Sequence, residues 1–559
     1  MKGKTKIIAL ALCLCLCLCM VACGGSDSGS VPATGGSPNS TGTSTEASTG
    51  TGTGTAAGSE AAAKKTLNIA TIGESDCLYP IQMTPPAYML SRICYDTLVT
   101  YENGQFVPKL AESWEISEDG CVFTLHLRKN VRFHDGEAFD AEAVKANFVD
   151  LMNGPQAYYL PTVGNIKNIE CPEEHTVVFY YDNPFYGLLA DLCWADGMPM
   201  VSPKQIAAKN AGQEVTPVGT GPYAYEEYVK GEYTRFVKNE DYWDGAPYYD
   251  EIIAKYIPDE ASRIQALKNG EVDLLYGATE LSYDDYFQLQ SVAGMTAKMP
   301  PIQARNRNLT LNLNGVLGDP AVREAIALSI DKELISEGVS HGYEAVADTI
   351  LTPGALYEDA CPKINYSYDP EKAAELLDAA GWIDTDGDGI REKDGKKLSL
   401  VCTIQAGYVE NRTMALVVQD MLSDLGMQVE IKELETNELF QSYYDPNAFD
   451  MTFQQTYYDY AMPTQWFSSI EYMAQGVSLS LMKDSETFIG MTKEFTTTND
   501  DARLREIFHY LVSQLQDQFI DIPLTGMMEP IVFNSAKIAD YNYGGCYQFF
   551  NPLWITPAE

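Results

Sequence analysis

The chain opens with an unbroken apolar run over residues 7–21, set between a lysine-bearing start and Cys23. Such a run is shorter than the ~20 residues that cross a bilayer comfortably as a helix. Residues 24–65 are dominated by Gly, Ser, Thr, Ala and Pro. They hold too little apolar surface for a core and read as a coil about 35 Å from end to end. After residue 65 the pattern turns into short strands alternating with amphipathic helices. Residues 67–72 (LNIATI) and 122–127 (VFTLHL) read as strands, His126 sitting on a strand face. Asp140 is placed to cap a helix AEAVKANFVDLM whose Val144, Phe148 and Leu151 share one face. Asp319-Pro320 and Asp369-Pro370 each combine an N-cap with a proline at the first helical position. Gly381 closes the second of these helices. Leu504, Ile507, Phe508, Leu511 and Leu515 form an apolar stripe, and His509 lies off it. Interleaved strands and helices predict an α/β fold. No second low-complexity stretch interrupts residues 66–559, so any domains are joined closely.

Charge narrows the function. Against 38 Lys and Arg stand 78 Asp and Glu, a formal charge of −40. A sequence-independent nucleic-acid binder needs clustered cations, and so does a protein held on anionic lipid by its surface. Tyrosine is abundant, 35 residues against 20 Phe and 6 Trp. Its flat apolar body and polar tip suit both ligand clefts and cores.

At the start of the chain, Lys2, Lys4 and Lys6, the apolar run and the small residues before Cys23 (Met20-Val21-Ala22-Cys23-Gly24-Gly25) resemble a bacterial lipoprotein signal. The resemblance implies a signal peptide over 1–22, cleavage before Cys23 and a diacylglycerol on its sulfur. Two or more acyl chains anchor a protein stably. Residues 23–65 then form an acylated cysteine and tether, and the protein is expected on the extracytoplasmic face of the cell membrane.

Eight cysteines follow this region, Cys77, Cys94, Cys121, Cys171, Cys193, Cys361, Cys402 and Cys546, none in a CxxC pair. A zinc ribbon or thioredoxin-type site is not indicated. Export permits disulfides, and buried free thiols fit equally well. The five histidines show no HExxH and no helical pairing.

Three short motifs invite chemistry. GVSHG at 338–342 matches a nucleophile elbow, but that elbow follows a strand, whereas this one ends a predicted helix. GTGP at 219–222 lacks the third glycine and the Lys-Ser/Thr of a phosphate cradle, and reads as a turn into a strand. Asp384, Asp386 and Asp388 alternate ahead of Gly389 as in the first half of a Ca²⁺ loop, with Gly395 where a bidentate Glu belongs. They are candidate ligands of a structural Ca²⁺, or a solvated acidic turn before a strand at 397–403. No other cofactor is implied. No catalytic set is singled out, and no enzyme is expected.

Eight strings in order carry a wider resemblance: VPKLAESW at 107–114, FTLHLR at 123–128, VRFHDGE with FDA at 131–141, GTGPY at 219–223, NEDYW at 239–243, GEVDLL at 270–275, AVREAI at 321–326 and YDP at 368–370. Together they resemble the family-5 extracellular solute-binding proteins, receptors of peptide and nickel ABC importers. The resemblance implies a two-lobed periplasmic-binding-protein-like fold (type II) with an extra subdomain in lobe I. It places lobe I at 66–110, 215–303 and 527–559, the insert at 111–214 and lobe II at 304–526. It implies a monomer that closes on a ligand and is then read by a membrane permease with its ATPase.

Two ligand classes follow from the resemblance. Peptide receptors of the family pair an aspartate of an Asp-x-x-x-Pro stretch with the peptide amine. Asp459, four residues before Pro463, matches it. Tyr457, Trp466, Tyr79, Met83, Tyr159 and Trp194 match cleft positions. The alternative is nickel or a metal chelate, toward which DLLYG at 273–277 and ADTI at 347–350 lean. No histidine lies between His341 and His509, so the lobe II histidine of those receptors has no counterpart. A chelate held by its organic shell stays open, as does a ligand sensor outside transport.

Overall fold

The structure is a computed structural model that describes residues 64–558, apart from 75–77, 81–84, 103–104, 155–160, 194–197, 278–280, 302, 354–356, 407, 444, 458–480 and 544–549. Within elements, the side chains of 85–89, 161, 436, 437, 440, 456 and 457 are also outside the description. The first strand, β1 (Thr66–Thr71), lies one residue from its predicted place. Four strands then pair among themselves in the order β2-β3-β5-β4: β2 (Ala111–Ile116), β3 (Val122–Leu127), β4 (Ile166–Glu173) and β5 (Thr176–Tyr181). Helix α1 (Ala141–Asn153) covers this sheet, and the Asp140 carboxylate accepts the Ala143 N–H at 2.8 Å as its cap.

The chain next lays down β6 (Tyr223–Val229), β7 (Tyr233–Lys238) and β8 (Glu251–Tyr256). Helix α2 (Glu260–Asn269) leads to β9 (Leu274–Tyr276), and α3 (Tyr283–Leu289) to β10 (Met295–Lys298). These strands join β1 in a seven-stranded sheet that is completed by β17 (Ile531–Asn534), in the order β10-β17-β9-β1-β8-β7-β6.

Residues 299–304 cross to a second sheet at β11 (Arg305–Leu311). Helices α4 (Pro320–Ser329) and α5 (Lys332–Ser340) precede the short β12 (Ala345–Val346). Helix α6 (Pro370–Ala379) is capped by Asp369 and followed by Gly381 at φ +86°, as its sequence predicts. Strand β13 (Ser399–Gln405), helix α7 (Val409–Asp424), strand β14 (Gln428–Leu434), helix α8 (Thr436–Ser442) and strand β15 (Met451–Tyr457) follow. Helices α9 (Ser485–Thr497) and α10 (Asp501–Asp517) precede β16 (Asp521–Met527). The second sheet has the order β12-β16-β11-β15-β13-β14. The α10 stripe is buried and His509 is exposed, as its pattern predicts.

The three largest hydrophobic clusters among the described residues hold these layers. One contains Phe123, Phe148 and Phe179 beneath the four-stranded sheet. A second contains Leu67, Phe236 and Phe533 in the seven-stranded half. The third contains Leu309, Ile326 and Val418 in the six-stranded half. The mixed α/β architecture with two large sheets and an extra small one is the one the sequence indicates.

Among the described residues, two segments join the large sheets, 299–304 and 528–530, and they run side by side. Lys298 is paired with Ile531 on one sheet and Arg305 with Met527 on the other. Between them the Ala304 N–H donates to the Met527 carbonyl at 2.8 Å. Cys94, Cys121, Cys171, Cys193, Cys361 and Cys402 are free thiols. Cys77 and Cys546 lie outside the described residues. Among the described residues no helix is long and apolar enough to cross a membrane.

Candidate functional site

Strand direction locates the site. In the seven-stranded sheet β1 runs parallel to both β8 and β9. The last residue of β9, Tyr276, pairs with Ile531, where the return crossing arrives. The carboxyl ends of β1, β8 and β9 therefore face the crossings. In the six-stranded sheet β13 runs parallel to β14 and β15. The last residue of β15, Tyr457, pairs with Arg305, where the outward crossing arrives. The carboxyl ends of β13, β14 and β15 face the crossings as well.

Both sheets also reverse their strand order there. From β13 the chain passes through α7 to β14 on one side, then through α8 to β15 on the other. From β1 it reaches β8 on one side and then, through α2, β9 on the other. Crevices at such switch points, outside the carboxyl ends of strands, are where open α/β sheets bind ligands. Two of them face one junction.

The sequence candidates fall on this arrangement unevenly. Tyr79 follows β1 but is only 4 % exposed, packed in the core of its half with the Lys209 ammonium 5.4 Å from its ring centre. Burial pushes its phenol well up. Tyr457 ends β15 at the junction, and its side chain is outside the description. Met83, Tyr159, Trp194, Asp459 and Trp466 lie outside the described residues, as does Cys23.

The junction holds charged groups that no motif signals. Arg305 donates to Gln455 Oε1 at 2.9 Å and is ion-paired with the buried Glu529. Two residues on, Arg307 is buried. Its Nε and Nη2 donate to Glu344 Oε1, each at 3.1 Å, and its Nη1 to Asn411 Oδ1 at 2.8 Å. Thr525 Oγ1 donates to the other Glu344 oxygen at 2.5 Å. Glu410, beside Asn411 in the first turn of α7, is 9 % exposed, and its Oε1 has no hydrogen-bond partner among the described residues. Burial pushes its carboxyl up to about 7, against the pull of Arg307 and of a hydrogen bond from its own backbone N–H, and with added push from Glu260 and Glu344.

Helix α3 of the seven-stranded half contacts both the return crossing and the six-stranded half. The Tyr283 hydroxyl of α3 donates to the Met528 carbonyl at 3.1 Å and accepts the Met528 N–H at 3.0 Å. His341, in the left-handed conformation at the end of α5, pairs with Asp284 at 2.5 Å and stacks on Phe287 at 5.0 Å. GVSHG thus ends a helix and forms an inter-half contact. Elsewhere the Tyr186 N–H donates to the Thr496 carbonyl at 3.0 Å. That carbonyl lies in the last turn of α9, which has no helical donors for it.

The acidic turn sits apart. Ligand atoms of Asp384, Asp386 and Asp388 lie within 4.8 Å of one another and all three residues are exposed. Asp384 accepts the N–H groups of Gly387 and Gly389 at 2.7 and 2.9 Å, both glycines having positive φ. Lys397 Nζ lies 3.0 Å from Asp386 and is ion-paired with Asp388. The turn precedes the amino end of β13, the end remote from the crossings. Strand β13 starts two residues later than predicted because Lys396 and Lys397 pair instead with Glu392 and Lys393.

A two-lobed body whose paired sheets aim their carboxyl ends at a double crossing defines a bacterial solute-binding protein. Residues 105–476 match bacterial extracellular solute-binding proteins, family 5 Middle, and the chain belongs to that family. It is 29 % identical over 463 residues to the nickel-binding periplasmic protein of Escherichia coli, covering 80 % of this chain and 86 % of that one. It is 28 % identical over 415 residues to the oligopeptide-binding protein AppA of Bacillus subtilis, covering 70 % and 74 %. The crystal structure of NikA from Brucella suis in complex with Fe(III)-EDTA superposes with a TM-score of 0.82 at 30 % identity, over 88 % of this chain and all of that one. These relatives are binding proteins rather than enzymes.

Proposed function

We propose that this protein is a lipid-anchored receptor of an ABC importer, capturing di- or oligopeptides between its lobes and handing them to a permease and its ATPase. The observation that supports the reading most is the convergence of both sheets' carboxyl ends on two adjacent crossings. Lobe I with its insert (66–303 and 527–559) and lobe II (304–526) then hinge at 299–304 and 528–530. A ligand favours closure only through contacts that the open form lacks. Tyr457 ends β15 at the junction, and Asp459 and Trp466 come two and nine residues later in the sequence. Asp459 is the proposed partner of the peptide amine, and Cys23 the acylated anchor of a monomer.

The similarity to a nickel-binding protein favours a second reading, a small metal chelate held through its organic shell. Mass spectrometry of ligand retained by the purified protein, with metal analysis alongside, separates the two. Peptides without stoichiometric metal support the first reading, and nickel with an organic chelator overturns it. For a retained peptide, Asp459→Asn is expected to weaken binding by ~1–3 kcal/mol, the loss of one charge-assisted bond. An unchanged calorimetric dissociation constant removes Asp459 from the site.

A further inference from the structure

The Arg307 group carries one more negative charge than positive when both its carboxylates are ionised. Arg307 spends Nε and Nη2 on Glu344 and Nη1 on Asn411. Glu410 gains from the nearby guanidinium only through space. Among the described residues, the other charged groups acting on it are carboxylates, Glu344 of the same lobe and Glu260 from the first turn of α2 in the opposite lobe. Burying a carboxylate oxygen with no donor is costly, and such atoms are uncommon in folded proteins. This one follows β13 directly, at a switch point where ligands enter. A hydrophobic contact cannot satisfy it; a ligand bearing N–H donors and a positive charge can.

We propose that Glu410 is a specificity-determining residue that accepts a hydrogen bond from a cationic group of the ligand, an ammonium or guanidinium, as the lobes close. The inference rests on the peptide-receptor reading and deepens it: the guests it favours are basic peptides. The charge recognised at Glu410 is a side chain's, separate from the amine proposed for Asp459.

Tripeptides of alanine with a single Lys, Met or Glu at each position in turn test this by competition and calorimetry. Wild-type protein is expected to prefer the best Lys peptide over its Met counterpart by about tenfold or more, and to bind the Glu peptide worst. Glu410→Gln, of nearly equal size, is expected to bring the Lys-to-Met ratio close to one. Its thermal unfolding serves as the check on folding. Lys binding is also expected to release protons in wild type, read from the dependence of the binding heat on the buffer, and not in the variant. Equal affinity for Lys and Met peptides in wild type overturns the role of Glu410 while the receptor reading stands. A preference that survives Glu410→Gln does the same. Failure of all the peptides to bind while a nickel–histidine complex binds overturns both.

Discussion

Two acidic regions of the six-stranded half have opposite characters. At 384–388 three carboxylates crowd within 4.8 Å in open solvent, yet each is engaged. The backbone N–H groups of Gly387 and Gly389 bind Asp384, that of Asp388 binds Asp386 and that of Ile390 binds Asp388. Lys397 lies across the last two carboxylates. At the start of α7 the carboxylates are fewer and buried, and one oxygen of Glu410 is left over. The difference shows that closeness of like charges is a weak guide to a binding site. In water an ion pair is worth little, and a satisfied turn needs nothing more. Away from water, an unmet acceptor stays unmet until something arrives to meet it.

The hardest test of this contrast is to remove the guanidinium from the buried region. Arg307→Met takes away the one cation described as acting on Glu410, and all three donor nitrogens described there. Glu344 is then left buried without its ion-pair partner, and Glu410 loses the attraction that opposes its burial. A loss of ~3–5 kcal/mol in unfolding free energy is expected, as when one partner of a buried pair is deleted. Urea unfolding reads it directly. A loss below about 1 kcal/mol shows that water reaches the group and that the contrast with the turn is false.

A smaller effect comes from pH. Glu410 titrates near 4.5 when exposed and is pushed up to about 7 by burial, with Arg307 opposing and Glu260 and Glu344 assisting. Between these values the folded protein holds the proton that the unfolded chain has lost. The stabilisation is therefore complete below pH 4.5 and is lost as the pH rises through 7. Asp191 (up to about 7) and Asp521 (up to about 6) are raised by burial and act with the same sign. On the order of 3 kcal/mol attaches to a shift of this size at Glu410. The urea midpoint is expected to rise from pH 8 to pH 5 and to rise less in Glu410→Gln. Identical slopes in the two proteins place Glu410 in contact with water.

The contrast also explains what was legible in the sequence. Caps at Asp140, Asp319 and Asp369, the turn at Gly381 and the stripe on α10 are written within a few residues, because helix ends and faces are set by neighbours. The acidic turn is equally local, which is why it stands out as a string. The Arg307 group draws on β11, the α5–β12 link, α7 and β16, so its members at 307, 344, 410, 411 and 525 share no spacing. A signal for Glu410 exists only once strand order is known: it opens the helix after β13, at a reversal of topology. Tyr79 shows the converse difficulty. An aromatic matching a cleft position has the same letter whether it faces a ligand or, at 4 % exposure, packs in a core.

The smallest expected effect belongs to the exposed turn. Lys397→Ala removes the cation that bridges Asp386 and Asp388, while the backbone donors to Asp384 and Asp388 remain. Both partners of each ion pair are solvated, so salt already screens their attraction. The melting temperature is expected to move by no more than ~2 °C, and by less in 0.5 M NaCl than at low salt. The same substitution uncovers two carboxylates, so it also makes the turn a better cation ligand than it is in the native chain. Thermal scans with and without 1 mM Ca²⁺ measure both properties together. A Ca²⁺-dependent rise larger in Lys397→Ala than in wild type identifies Lys397 as the built-in occupant of the turn. A drop of many degrees on removing Lys397, unrelieved by Ca²⁺, shows that this surface is as strongly coupled to the fold as the Arg307 group, and the distinction between the two regions fails.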